Sequence, residues 1–172
     1  MTSRIIARNF IRFFLLVFLQ VFVLKNTPMY DLAAPYLYIL FILQLPFNIP
    51  TLALFSLSFL LGITIDAFYD TPGLHAAASI ILAFVRVIFM NLTVERDDRI
   101  TADEPTLARM GFRWYFLYTL ILTLIHHLFL FLLETFRFDG FQYTLMRVAF
   151  SSVFTVILML ISGLLFYRRK ER

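Results

Sequence analysis

The stretch GITIDAFYDTPGLHAAA (residues 62–78) ends an apolar run with two aspartates and continues with a Thr-Pro-Gly turn and a series of alanines. Asp66 and Asp70 are one helical turn apart, so a helix places them on the same face. Proline and glycine next to each other are typical of a break between two helices. The stretch therefore predicts a helical hairpin, and it raises the question of why acidic groups stand beside so many apolar residues.

The composition indicates a membrane protein. Of the 172 residues, 61% are hydrophobic and 15% are charged, and the mean hydropathy is +0.85. An ordinary soluble domain is about 45–50% apolar and about 25% charged. A soluble core of this length cannot bury so much apolar surface, so we expect most of it to face lipid. The chain has no cysteine, which excludes disulfides and thiolate metal sites.

Six apolar segments divide the chain into candidate membrane helices, each of which needs about 20 residues to cross a bilayer. They cover residues 5–24, 35–46, 51–69, 72–93, 112–133 and 144–167. The second segment is short, because Pro46 and Pro50 interrupt it and the residue before a proline avoids the helical conformation. No small-residue cleavage site follows the first segment, so we expect it to be retained as a membrane helix. The sequence predicts one all-α domain, a six-helix bundle over residues 1–172.

The basic residues predict how this bundle is oriented. Eleven of them fall at the N-terminus, between the fourth and fifth segments, and at the C-terminus: Arg4, Arg8, Arg12, Arg96, Arg99, Arg109, Arg113, Arg168, Arg169, Lys170 and Arg172. Only Lys25, Arg137 and Arg147 fall on the other side. By the positive-inside rule, this distribution indicates six crossings with both termini in the cytoplasm. It favours a topological role for the net charge of +4 over binding to nucleic acid.

Small and polar residues recur at helical spacing along the third segment. Ser58, Gly62, Asp66 and Asp70 form a stripe on one face, which we expect to face protein because ionisable groups are costly in lipid. Gly62 and Ser58 would let a neighbouring helix approach closely. We expect Asp70 to act as a helix-end group. For Asp66, capping of a helix end and a buried hydrogen-bonding role both remain open.

The turn after Asp70 is expected to start the fourth segment. Thr71 is placed to cap that helix, with Pro72 at its first position, where the missing N–H is not needed. Gly73 would complete the turn. The alanines from Ala76 onward would then form a second close-packing surface.

Arg86 lies in the middle of the fourth segment, where a charged side chain is expensive. It is about 15–20 Å deeper than Asp66 at 1.5 Å rise per residue, so we expect no direct pair between them. Two interpretations remain open. Arg86 either extends toward the cytoplasmic face or joins an internal network with Gln20 or Gln44.

The remaining polar groups do not form a catalytic or metal site. His126 and His127 point about 100° apart on a helix, whereas a metal-binding pair needs a spacing of four. We expect one to be interior and the other to be an interfacial or packing residue, and Glu134 with Arg137 to form a surface pair. An intramembrane aspartyl protease needs aspartates on two helices, and the fourth segment has none. The sequence therefore predicts no enzyme activity, no metal and no cofactor.

The length, the six segments and the hairpin together resemble the bacterial rod shape-determining protein MreD family. The local signature is a Gly-x3-Asp near the end of one helix, followed by a turn with glycine and alanine that opens the next. Here these residues are Gly62, Asp66, Gly73 and Ala76. Asp70 is an additional acidic residue, and the family pattern sets no expectation for the position of His75.

The resemblance implies a fold similar to the substrate-binding subunits of energy-coupling-factor transporters. It also implies a non-enzymatic scaffold in the bacterial inner (cytoplasmic) membrane that acts in the rod complex, or elongasome. The implied partners are MreC and, through it, MreB, RodA and the penicillin-binding transpeptidase of peptidoglycan synthesis. A small-molecule-binding subunit of a vitamin transporter is the alternative. A groove open to lipid would favour docking, and a pocket dense in polar groups would favour a ligand.

Overall fold

The computed structural model describes residues 3–26, 33–95, 104–135 and 141–165. Of these described residues, 84% are helical and none forms a strand. Five helices are long and apolar enough to cross a membrane. The chain therefore has the architecture of an all-α, multi-pass membrane bundle.

Seven helices follow one another along the described chain. They are α1 (Ser3–Phe18, continued by a π-helical turn at Leu19–Leu24), α2 (Leu40–Leu43, preceded by a 3-10 turn at Leu37–Ile39), α3 (Thr51–Tyr69), α4 (Leu74–Thr93), α5 (Leu107–Met110), α6 (Phe112–Thr135) and α7 (Phe141–Leu165). Helix α4 packs against both α3 and α6, and α6 packs against α7. The five long helices α1, α3, α4, α6 and α7 correspond to five of the six segments expected from the sequence.

The second expected segment does not form a long helix. Only residues 37–43 are helical, whereas a crossing helix needs about 17–25 residues. Every residue from Tyr38 to Leu43 is at most 3% exposed, so this helix contacts protein on all sides. Residues 33–46 are called the buried segment below. Backbone outside long helices is tolerated at membrane depth only where protein surrounds it, which explains why this segment lies in the middle of the bundle.

Side chains of α1 and α7 bond the backbone at the start of the buried segment. Gln20 Oε1 accepts a hydrogen bond from the N–H of Tyr38, and its Nε2 donates one to the carbonyl of Pro35. Two hydroxyl groups of α7 accept hydrogen bonds from backbone N–H groups at the start of this segment. Ser151 Oγ accepts from Ala34 and Thr155 Oγ1 accepts from Tyr36, each at 3.0 Å. These bonds replace the helical partners that the first N–H groups of a helix lack.

Side chains of α1, α4 and α6 bond the carbonyls at the end of the buried segment. Tyr118 on α6 donates to Leu43 O at 2.8 Å, and Arg12 on α1 donates to Gln44 O at 3.1 Å. Arg86 on α4 donates from Nη2 to Leu45 O at 2.5 Å. A cation is favourable at the C-terminus of a helix, where the carbonyls are unpaired.

Arg86 therefore belongs to an internal network and does not extend toward the surface. It is 3% exposed, and its Nε donates to the hydroxyl of Tyr118 at 3.2 Å. The expected partners Gln20 and Gln44 are wrong, because backbone carbonyls take their place. Every residue has a backbone carbonyl, so the sequence pattern does not indicate which one Arg86 bonds.

Helices α3 and α4 are in van der Waals contact at Gly62. A Cβ atom added there would lie 2.4 Å from the Cα of Ala76. The close approach that the small residues predict is therefore found at this position. The contact fixes the distance between the two helices of the hairpin.

Substituting Gly62→Ala is expected to destabilise the protein, because the new methyl group would force the backbone of α4 away from α3. Overpacking of this kind costs about 1–3 kcal/mol. The matched control is Gly163→Ala, where the nearest atom to the added Cβ is a side-chain carbon of Tyr115 at 3.4 Å. Thermal unfolding in detergent measures both. Equal midpoints for the two variants would contradict the tight contact at Gly62.

Candidate functional site

The hairpin between α3 and α4 turns through two residues with left-handed backbone. Asp70 has φ 56° and Gly73 has φ 84°, and α4 begins at Leu74. The residue that precedes α4 is Gly73, which has no side chain to cap the helix. The expected capping by Thr71 and the expected start at residue 72 are therefore wrong. A Thr-Pro pair often caps the start of a helix, but here a side chain from the neighbouring helix caps it instead.

Asp66 caps α4 from the neighbouring helix. Its Oδ1 accepts a hydrogen bond from the backbone N–H of His75 at 3.0 Å, and its Oδ2 accepts one from Ala76 at 2.9 Å. The first N–H groups of a helix have no partners within it, and its N-terminus favours a negative charge. Asp66 is 3% exposed, so the two roles left open from the sequence occur together.

Two further side chains bond the same carboxylate. Thr71 Oγ1 donates to Asp66 Oδ1 at 2.6 Å, and His75 Nδ1 lies 3.0 Å from the same oxygen. Asp66 is thus the centre of a buried cluster that ties α3, the turn and α4 together. His75 was missed in the sequence, because no periodic spacing relates it to Asp66. The signal that could have found it is a polar residue just after a turn that follows a buried aspartate.

The stripe expected along α3 ends at Asp66. Ser58 and Gly62 are buried with it, and Ser58 Oγ donates to Leu54 O of its own helix. Asp70 is exposed, because the left-handed turn takes it off the helical face. The structure therefore brings Asp66, Gly73 and Ala76 together in one hairpin and separates Asp70 from them. Arg86 lies lower on α4 and takes no part in this cluster.

Both adjacent histidines of α6 are fully buried, so of the interfacial and packing roles left open for the second histidine, the structure shows packing. His126 Nε2 lies 2.8 Å from the hydroxyl of Tyr38. His127 Nδ1 bonds Thr123 O at 2.8 Å, and Thr155 Oγ1 lies 3.2 Å from its Nε2. The buried segment and α7 cover the two faces of α6 that carry these rings.

The described residues contain no group of three or more histidine, cysteine, aspartate or glutamate side chains arranged to hold a metal ion. Glu134 pairs with Arg147 of α7 at 3.2 Å, and this guanidinium also lies over the ring of Phe131. The expected pair with Arg137 falls outside the described residues. Glu134 and Arg147 therefore form a pair between α6 and α7.

A groove of about 330 Å³ opens on the surface of the bundle between α1, the end of the buried segment and α3. We call it the α1–α3 groove. Its walls are apolar and bulky, and they include the exposed side chains of Phe10, Phe14 and Leu60. Asn9, the polar residue in its lining, directs its amide to Ile5 O and to Arg12. The groove can therefore take an apolar occupant and offers little to a polar one.

No family model, no curated protein and no solved structure matches the chain. The resemblance to the MreD family thus depends on the segment pattern and on the hairpin residues. Two features of the structure bear on function. These are the Asp66 cluster and the α1–α3 groove.

Substituting Asp66→Asn is expected to destabilise the protein, because the amide keeps the size of the side chain but turns a donor toward groups that also donate. Each buried group left unsatisfied costs roughly 1–3 kcal/mol. Asp70→Asn is the matched control, since asparagine tolerates the left-handed conformation and Asp70 is exposed. The free energy of unfolding in mild detergent should fall for Asp66→Asn alone. A similar loss of unfolding free energy for both variants would contradict the capping of α4 by Asp66.

Proposed function

We propose that this protein is a non-enzymatic membrane scaffold of the bacterial cell-elongation (rod) complex. It docks a single-span partner of the MreC type and helps to position peptidoglycan synthesis, which maintains cell shape. The observation that carries this proposal is the α1–α3 groove, an apolar surface open at the side of the bundle. The resemblance of the hairpin to the MreD family supplies the identity of the partner, and MreB, RodA and the transpeptidase follow through that partner.

The scaffold would cross the inner membrane six times, with both termini in the cytoplasm. A contact at the end of the bundle opposite the hairpin supports this count. Glu104, which follows α4, is buried and pairs with Arg8 at 2.8 Å and with Arg12 at 3.0 Å near the start of α1. Residues in contact lie at the same end of the bundle, so an even number of crossings separates them. Helices α1, α3 and α4 supply three, and the buried segment supplies the fourth.

The orientation follows from charge. Arg8 and Arg12 belong to the basic groups that the positive-inside rule assigns to the cytoplasm. Lys25, at the other end of α1, donates to the carbonyl of Phe68 beside the hairpin. The hairpin then faces outward, toward the compartment in which peptidoglycan is made. Partner enzymes with large outer domains would meet this end of the protein.

Site-directed labelling tests the six crossings directly, since the chain has no cysteine of its own. Single substitutions Asn26→Cys, Asn48→Cys and Ala108→Cys place exposed thiols at the end of α1, after the buried segment and on α5. With intact cells, a membrane-impermeant maleimide should label Asn26→Cys only. The other two should react only after permeabilisation. Labelling of Asn48→Cys in intact cells would mean that the buried segment does not cross.

The docking surface offers a partner helix bulky apolar contacts along the cytoplasmic half of α1 and α3. Ala53 is the small residue in its wall, so a large side chain at this position would fill the groove. A partner held here would leave the Asp66 cluster free to stabilise the hairpin. Dispersion and packing, which drive helix association in lipid, would supply the affinity.

The substitution Ala53→Trp is therefore expected to reduce co-purification of the MreC-type partner from native membranes in mild detergent. Ala67→Trp is the matched control, because this exposed alanine lies on the same helix outside the groove. The amount of partner recovered per scaffold is measured by mass spectrometry. Equal recovery with both variants would exclude the groove. Recovery of an ATPase-coupled transporter module with the wild-type protein would overturn the scaffold proposal itself.

A second candidate function is that of a small-molecule-binding subunit of a vitamin transporter. The observation that favours it is the concentration of histidine and tyrosine side chains inside the hairpin end of the bundle. Five rings lie side by side there, with neighbouring centroids 5.3–5.9 Å apart. In order of contact they are Tyr36, His75, Tyr38, His126 and His127, and the last again contacts Tyr36. A bound vitamin recovered with the purified protein would select this function over docking.

A further inference from the structure

Buried polar atoms without a protein partner concentrate at the hairpin end of the bundle. Among the described residues, five inaccessible side-chain atoms have no hydrogen-bond partner: Trp114 Nε1 near the start of α6, and His75 Nε2, Ser79 Oγ, His126 Nδ1 and Ser152 Oγ in the hairpin half of the bundle. The side chains of the last four are at most 3% exposed. A buried donor or acceptor in this state carries the full cost of its desolvation. Native proteins contain few such groups, and each one calls for an explanation.

Three of these four atoms belong to side chains grouped around Tyr38. The ring of His75 lies 5.9 Å from the Tyr38 ring, and the ring of His126 lies 5.6 Å from it. Ser79 follows His75 by one helical turn, so both side chains lie on the same face of α4, and the Ser79 hydroxyl also interacts with that of Tyr38. The three side chains thus come from α4 and α6, and each lies beside Tyr38 of the buried segment.

The surrounding bonds limit what the unpartnered atoms can do. His75 Nδ1 is engaged with Asp66, which leaves Nε2 on the inner edge of the ring. His126 Nε2 is engaged with the hydroxyl of Tyr38, which leaves Nδ1. Each ring is held in place by one nitrogen and offers the other. Two histidines and a serine are too few ligands for a metal site, and the described residues hold no larger group of ligands.

We propose that the hydrogen-bonding groups around Tyr38 form an internal hydration site, in which water links His75 and Ser79 on α4 to His126 on α6. Water both donates and accepts, so it satisfies a ring nitrogen in either tautomer and a hydroxyl in either rotation. Buried water typically makes about three hydrogen bonds to polar groups that the protein leaves unpaired. Water reaches the site from the hairpin end, where Thr71 and Gly73 are partly exposed beside His75.

The hydration site goes beyond the docking function, because it concerns the interior of the hairpin end and not the α1–α3 groove. It also gives the histidines and Ser79 a role that requires no vitamin. The Asp66 cluster at the turn and Tyr38 in the buried segment become parts of one hydrogen-bonded network. The hairpin is then tied to α6 by water in addition to direct packing.

Radiolytic hydroxyl-radical footprinting of the protein in lipid nanodiscs tests the site, because bound water generates radicals where it sits. The chain supplies its own control in Tyr118, which like Tyr38 is 0% exposed. The hydroxyl of Tyr118 is already bonded to Leu43 O and Arg86. Tyr38 is expected to be modified several-fold faster than Tyr118. Equally slow modification of the two tyrosines would overturn the proposal.

A pair of variants makes the test independent of ring reactivity. Ser79→Val removes a hydroxyl from the site and adds a methyl group, so it should slow the modification of Tyr38 and leave Tyr118 unchanged. Ser56→Val, at an exposed position of α3, should alter neither rate. Unchanged modification of Tyr38 in a folded Ser79→Val protein would also overturn the site. If Ser79→Val does not fold, the comparison of Tyr38 with Tyr118 in the wild-type protein decides.

Discussion

The hydrogen bonds of one short stretch of backbone organise this bundle. Residues 33–46 run through its middle with only seven helical residues, so their N–H and C=O groups cannot all bond within the segment. Gln20, Arg12, Arg86, Tyr118, Ser151 and Thr155 provide the missing partners from four different helices. Each of these helices must therefore keep both its depth and its rotation relative to the segment. In a medium without water, an error in either would leave a buried polar group unpaired.

The two intramembrane charges of α3 and α4 follow a common rule. Asp66 carries a negative charge and bonds the N-terminus of α4, and Arg86 carries a positive charge and bonds the carbonyls that follow α2. In each case the sign of the charge matches the partial charge of the helix end that it meets. Each residue bonds the end of a helix other than the one that carries it. Their burial thus needs no opposite charge of the same strength, which is why Asp66 and Arg86 can lie far apart in one hairpin.

The sequence was sufficient for the features that depend on local composition. Hydropathy located the five long helices, and the spacing of Gly62 and Asp66 located the face on which α3 meets α4. Features that depend on distant partners were missed. No helical spacing relates His75 to Asp66, and nothing near His127 indicates that Thr155 of α7 covers it. The sequence does not distinguish the buried segment from a lipid-facing helix, because its residues are equally apolar and only the groups that surround it differ.

The bonds from α7 to the buried segment constrain how the protein is assembled. Ser151 follows Ala34 by 117 positions, and Thr155 follows Tyr36 by 119. During synthesis, the first four long helices therefore emerge before the residues that bond the start of the buried segment exist. Until α7 is in place, the N–H groups of residues 34 and 36 need water or the insertion machinery as their partner. Helix α7, the last of the described helices in sequence, thus closes the bundle around one of the first segments to be translated, and a chain truncated before α7 would lack the hydroxyl partners of residues 34 and 36.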